Sequence, residues 1–233
     1  MTSIESLINR QLLKWETERK ASAQHSPQNL PPGSPIITIS RQAGSRGSYF
    51  GSRLAQKLGY QRLHREAIDA ICFHSGYVKR IVESLDDRNR SELALLVEGI
   101  FSGQMVDHSD YFRHLYQAVL SMSRLGGVVL MGRGGNFILG PKEGFHLRVI
   151  APVEQRVENL MRYRNLSEHE AKEHVVKTDN ERHQFISRQF KADIDDARHY
   201  DLVINTALLD VEELVEMMGK AITAKMNKLA HLE

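Results

Sequence analysis

The feature that most restricts this chain is a β-branched run, PIITIS, that passes directly into a glycine- and serine-rich stretch. That stretch is Ser40-Arg41-Gln42-Ala43-Gly44-Ser45-Arg46-Gly47-Ser48. It leads into SYFGSRLAQKLGY, where Phe50, Leu54 and Leu58 recur at helical spacing. Strand, glycine loop and helix in that order open a doubly wound α/β fold. Glycine lets successive backbone N–H groups turn toward one point, and the first turn of the helix adds unpaired donors and a partial positive charge. The stretch between Ile39 and Ser48 is therefore a candidate anion cradle. Arg41 and Arg46 add planar donor pairs that suit phosphate oxygens.

Later segments extend the same architecture. GVVLMG (127–132), FHLRVIA (145–151) and YDLVIN (200–205) are short runs with the character of buried strands, separated by helical or loop sequence. Such runs predict parallel strands covered by helices on both faces. The middle, from about Arg65 to Arg124, has helical spacing throughout and predicts several helices over one edge of the sheet. The stretch from Val153 to Phe190 reads as helical and rich in Arg and His, and Asp210 to Met226 as a closing amphipathic helix capped by Asp210. At the start, Ile4, Leu7, Ile8, Leu12 and Trp15 recur at three- and four-residue steps and predict a helical arm over 1–21, docking on the core or on a second subunit. Prolines make 22–35 a linker, leaving 36–227 as the main domain.

Composition closes off several function classes. A formal net charge of +2 offers no general field for nucleic acid or membrane, so any anion preference rests on local arginine clusters. Cys72 is the only cysteine, which excludes a disulfide framework and a Cys-rich zinc site and fits a reducing, cytoplasmic address. The opening twenty residues hold no long apolar run, so they read as neither signal peptide nor membrane span. His169 and His174 stand five apart on a predicted helix, and no H-x-x-x-H pair occurs, which speaks against zinc.

The loop departs from the G-x-x-x-x-G-K-[ST] template. Arg41 and Arg46 stand where that pattern has glycine, Gly47 where it has lysine, and only Ser48 keeps the expected type. Ser48 is the nearest hydroxyl that could meet magnesium. Arg133 lies in GRGG at the C-terminal end of a strand, where open α/β sheets bind ligands. Arg156, Arg162 and Arg164 are spaced by six and two and cannot share one helical face; Arg156 and Arg162 are the first choices. Asp179 and Arg182, three apart, could pair with each other, and Asn205-Thr206 reads as a turn cap.

Taken in order, ITISRQAGSRGSYFGSRLAQKLG, VVLMGRGGNFIL, LRVIAPVEQRVENLM, TDNERHQFI and YDLVINT resemble the cytidylate kinase-like family, over Ile36 to about Lys225. The resemblance implies a three-layer α/β/α parallel sheet of P-loop kinase type, with a helical lid over about 153–190. It implies transfer of a γ-phosphoryl from ATP, with Mg2+, to a nucleoside monophosphate such as CMP or another small acceptor. Arg41, Gly44, Ser45, Arg46, Gly47 and Ser48 would then hold the donor phosphates. Arg133, Asp179 and Arg182 would serve the acceptor, and Arg46, Arg156, Arg162 and Arg182 the transferring group. Where cytidylate kinases place an arginine four residues before the aspartate, this chain has Val175. The expected partners are a nucleotide or small phosphorylated substrate and a second copy of the chain through helical segments. Two other readings stay open: a regulatory nucleotide binder with a degenerate loop and no kinase activity, and a transferase for another phosphate- or sulfate-bearing donor.

Overall fold

A computed structural model describes residues 4–22, 34–102 and 109–230. The expected linker lies outside the described residues over 23–33. The chain runs α1 (Ile4–Ser22), β1 (Ile37–Arg41), α2 (Gly47–Leu58), β2 (Gln61–Leu63), α3 (Arg65–Phe73), α4 (Ser75–Glu83), α5 (Asp87–Ser102) and α6 (Asp110–Leu125). It continues with β3 (Val128–Met131), α7 (Gly135–Leu139), β4 (Phe145–Ile150), α8 (Val153–Arg164), α9 (Glu168–Phe190), β5 (Leu202–Asn205) and α10 (Val211–Ala230). These elements fall into two compact units, 1–36 with 63–128 and 37–62 with 129–233.

The first unit is helical. Ile8 and Leu12 of α1 are buried, and Arg80 of α4 reaches Glu16 at 2.9 Å and Asn9 at 3.1 Å. The side chains of Ile4, Leu7 and Trp15 lie outside those described. Ala67, Ile68 and Ile71 of α3 and Leu115, Val119 and Met122 of α6 form buried helix faces in this unit. The Tyr111 hydroxyl donates to Asp69 at 2.7 Å. Cys72 is a buried thiol, as its small apolar character favours.

The second unit is built on the sheet, whose strand order is β2-β3-β1-β4-β5. β1 pairs in parallel with β3 and β4, and β4 in parallel with β5. The pleat sends alternate residues to opposite faces. Ile37, Ile39, Val129, Met131, Phe145, Leu147, Val149 and Ile204 meet Phe50 and Leu54 of α2 and Val211, Leu214 and Met218 of α10 in one core. Asp210 caps α10 by accepting from the Glu212 N–H at 2.7 Å, as expected. On the opposite face of the sheet α7 packs against β1, and a Cβ on Gly135 would touch Leu130 and Thr38. That face is polar at its centre. Thr38 Oγ1 lies 2.8 Å from Nδ1 of buried His146, whose Nε2 donates to the Gly140 carbonyl at 2.8 Å. Nε2 must carry the proton to make that bond, and in the neutral ring Nδ1 accepts from Thr38. Burial first, and the charge of Lys225 after it, hold the imidazole below the ordinary histidine range.

β2 and α7 have no counterpart in the sequence reading. β2 has three residues and α7 five, each shorter than two repeats of its hydrophobic period, so no recurrence can be read.

Candidate phosphate-binding site

The site forms where β1 ends and α2 begins. Arg46, the residue before α2, has φ 57° and ψ 9°, a left-handed conformation that costs a non-glycine residue on the order of 1 kcal/mol. It makes no side-chain cap, and no acidic residue occupies the first turn of α2. The N–H groups of Gly47, Ser48 and Tyr49 precede the first helical donor; the Phe50 N–H is the first to close, on Arg46 O at 2.9 Å. The positive end of the helix is thus left to whatever enters the loop.

Close packing fixes the loop from below. Gly44 has φ 76°, and a Cβ there would run into the Arg156 carbonyl. A Cβ on Gly47 would lie 2.6 Å from that of Arg41. Ser45 is fully buried, and its hydroxyl donates to Gln42 O at 2.9 Å. The Thr206 hydroxyl donates to Ser45 O at 2.8 Å, so Thr206 holds the loop as well as the turn after β5. Asn159 of α8 donates to Gly44 O at 2.9 Å.

Two carboxylate and guanidinium contacts tie the loop to the hairpin of α8 and α9. Asp179 Oδ1 accepts from the Ala43 N–H at 2.8 Å, and Oδ2 from the Arg156 guanidinium. Arg156 is 5% exposed and also donates to Ala43 O at 3.3 Å. Both therefore engage the loop backbone, and Asp179 Oδ1 also lies 3.7 Å from Arg182 Nη1. Arg156, expected in the lid, and Asp179, expected at the acceptor, meet each other at the loop, since a buried guanidinium needs a paired carboxylate. Val175, where the family pattern has arginine, is buried with Ala43, Val157, Leu160 and Ala171 in the apolar seam of the hairpin.

Above the loop lies a cavity of about 540 Å³. Its cationic wall residues are Arg41, Arg46, Arg164 and Arg182, with His174, Tyr49 and Tyr163 beside them and no carboxylate among the described lining residues. Arg182 Nη1 donates to Arg41 O at 2.7 Å. The Arg46 guanidinium stands 5.1 Å from the Tyr49 ring and 5.9 Å from that of Tyr163. Ser48 lines the cavity and is exposed.

The sequence-predicted residues thus divide. Arg41, Gly44, Ser45, Arg46, Gly47, Ser48 and Arg182 come together around the cavity. Arg162 stacks over Tyr163 at 5.4 Å and is not part of the wall, whereas Arg164 is. Arg133, with φ 55°, stands 5.3 Å over the Phe185 ring and also lies outside the wall. The GRGG turn still approaches the site, since a Cβ on Gly132 would meet Arg41 Nη1 at 2.6 Å. Tyr49, Asn159, Tyr163 and His174 were missed as site residues. Positions 156, 159, 160, 163 and 164 share one face of α8, and that spacing was the available signal.

A model of the cytidylate kinase-like family matches residues 36–208. The chain belongs to that family. Among curated proteins, uronate isomerase of Corynebacterium glutamicum is 34% identical over 100 residues, 42% of this chain and 19% of that protein. Cytidylate kinase of Ignicoccus hospitalis is 28% identical over 102 residues, 44% of this chain and 59% of that enzyme. The chain thus spans less than two thirds of either relative. In fold, the cytidylate kinase-like chain is similar to an uncharacterized protein from Eubacterium ventriosum, with a TM-score of 0.60 at 17% identity, covering 82% of this chain and 99% of that one. No helix among the described residues is long and apolar enough to cross a membrane.

Proposed function

We propose that this cytidylate kinase-like protein binds a nucleoside triphosphate in the loop cavity and transfers its terminal phosphoryl to a nucleoside monophosphate or another small phosphorylated acceptor. The observation that carries this reading is the cavity wall: a glycine loop, an uncapped helix start and four arginine side chains, with no carboxylate among the described lining residues. Phosphoryl transfer needs alignment and charge neutralisation more than covalent chemistry. Arg46 and Arg41 are at the loop where the template lysine would act, and Arg164 and Arg182 face them from the α8–α9 hairpin. A bent polyphosphate between those two sets would have charge neutralised on both sides.

Magnesium fits only with the nucleotide. Ser48 offers one hydroxyl to it, and the described wall adds no carboxylate, so phosphate oxygens and water would complete its shell. There it would supply charge neutralisation between phosphates.

A second reading has its own support. No lysine lines the described cavity, and Gly47 stands at the lysine position, which suits a protein that binds nucleotide without turning it over. A thermal-shift screen of nucleoside mono-, di- and triphosphates, with and without magnesium, tests binding, since a ligand selective for the native state must raise the melting temperature. Stabilisation by a triphosphate together with one monophosphate supports the kinase reading. No shift with any nucleotide refutes both.

A further inference from the structure

His174 sits on α9 and lines the cavity between Arg164 at the end of α8 and Arg182 two turns further along its own helix. Burial, together with the guanidinium charges of Arg164 and Arg182, keeps its imidazole below the ordinary histidine range, while Asp179 and Glu181 pull the other way. Arg41 and Arg46 of the loop share the same wall, and Glu170, Lys172, Glu173 and Lys177 of α9 line a second depression that His174 also borders. With the cavity empty, the nearest charges are mostly positive and favour a neutral ring. A phosphate or sulfate group between the guanidiniums reverses the sign of that field.

We propose that His174 is a further anion-binding residue of this cavity, taking up a proton as the anion arrives and donating a hydrogen bond to it from the α9 side. The inference rests on the anion-binding reading above and adds to it a titratable donor among fixed charges. Arginine stays charged throughout, so Arg164 and Arg182 give the site its affinity and His174 gives that affinity a dependence on pH. The consequence is a site that holds polyanions more tightly in mild acid and releases them more readily in mild base.

Inorganic sulfate is the probe, because it stays a dianion from mild acid to mild base and its own charge does not change. Titration calorimetry of the full chain in buffers of differing ionisation enthalpy counts protons taken up per sulfate bound. For the wild type, uptake of a substantial fraction of a proton is expected in mild acid, with affinity rising by up to about tenfold per pH unit as pH falls between the free and bound midpoints. His174→Gln keeps a polar side chain of similar size and should bind sulfate with no such slope. Uptake that is zero in the wild type, or equal in His174→Gln, overturns the assignment of His174 alone. Absence of saturable sulfate and tripolyphosphate binding at every pH overturns the anion cavity itself, and this inference with it. Since the proton count is taken on the unaltered protein, it stands even where the variant folds poorly.

Discussion

Replacing Asp179 by alanine removes the carboxylate that accepts from both the Ala43 N–H and the Arg156 guanidinium. What remains is an arginine whose side chain is 6% exposed, facing only the Ala43 carbonyl at 3.3 Å. Breaking a buried pair from one side costs about 3–5 kcal/mol, and because the Asp179 side chain is 27% exposed and solvent reaches it, about 2–3 kcal/mol is expected. For a chain of this size that corresponds to a fall in Tm of about 5–10 °C. Asp179→Asn, which keeps an acceptor for Ala43 but loses the charge, should fall in between. Adding Arg156→Met to Asp179→Ala should recover part of the loss, because it removes the stranded charge. Urea denaturation of wild type, Asp179→Ala, Arg156→Met and the double variant measures the coupling. An Asp179→Ala protein within about 0.5 kcal/mol of wild type, or a double variant no better than the single, would refute the view that this pair ties the hairpin to the loop.

Gly44→Ala forces a side chain into a left-handed position against the Arg156 carbonyl, so a loss of about 2 kcal/mol or more is expected by denaturation, with weakened nucleotide binding. Arg46→Ala and Arg41→Ala should lower turnover by orders of magnitude in a kinase, and lower only affinity in a pure binder; steady-state kinetics beside calorimetry separates the two. His146 is buried with its pKa lowered, so below the unfolded value of about 6.5 the unfolded chain binds the extra proton and stability falls as pH drops. His146→Gln should lose that part of the slope below about pH 6.5, and an unchanged slope would contradict it.

Much of the second unit was legible because buried parallel strands are written as short apolar runs. PIITIS and FHLRVIA became β1 and β4 to within a residue or two, and Gly44 to Ser48 declared the loop by composition alone. Within those strands His146 and Arg148 were hidden, since a polar residue in an apolar run looks like noise until the opposite face of the sheet proves polar. The tie between Arg156 and Asp179 was illegible for another reason. It spans two helices and the turn at Asn165, and no local period reports which charges meet across a hairpin. Helical geometry did carry one unused clue, the shared face of Arg156, Asn159, Tyr163 and Arg164, from which Arg162 diverges.

The most direct test of the account is product formation from ATP and magnesium, followed by chromatographic separation of nucleotides, across a panel of nucleoside monophosphates. The account predicts equimolar ADP and one new diphosphate with wild-type protein, and neither at comparable rate with Arg46→Ala or Arg182→Ala. Turnover unaffected by both substitutions, or no triphosphate binding by the wild type at all, would contradict it.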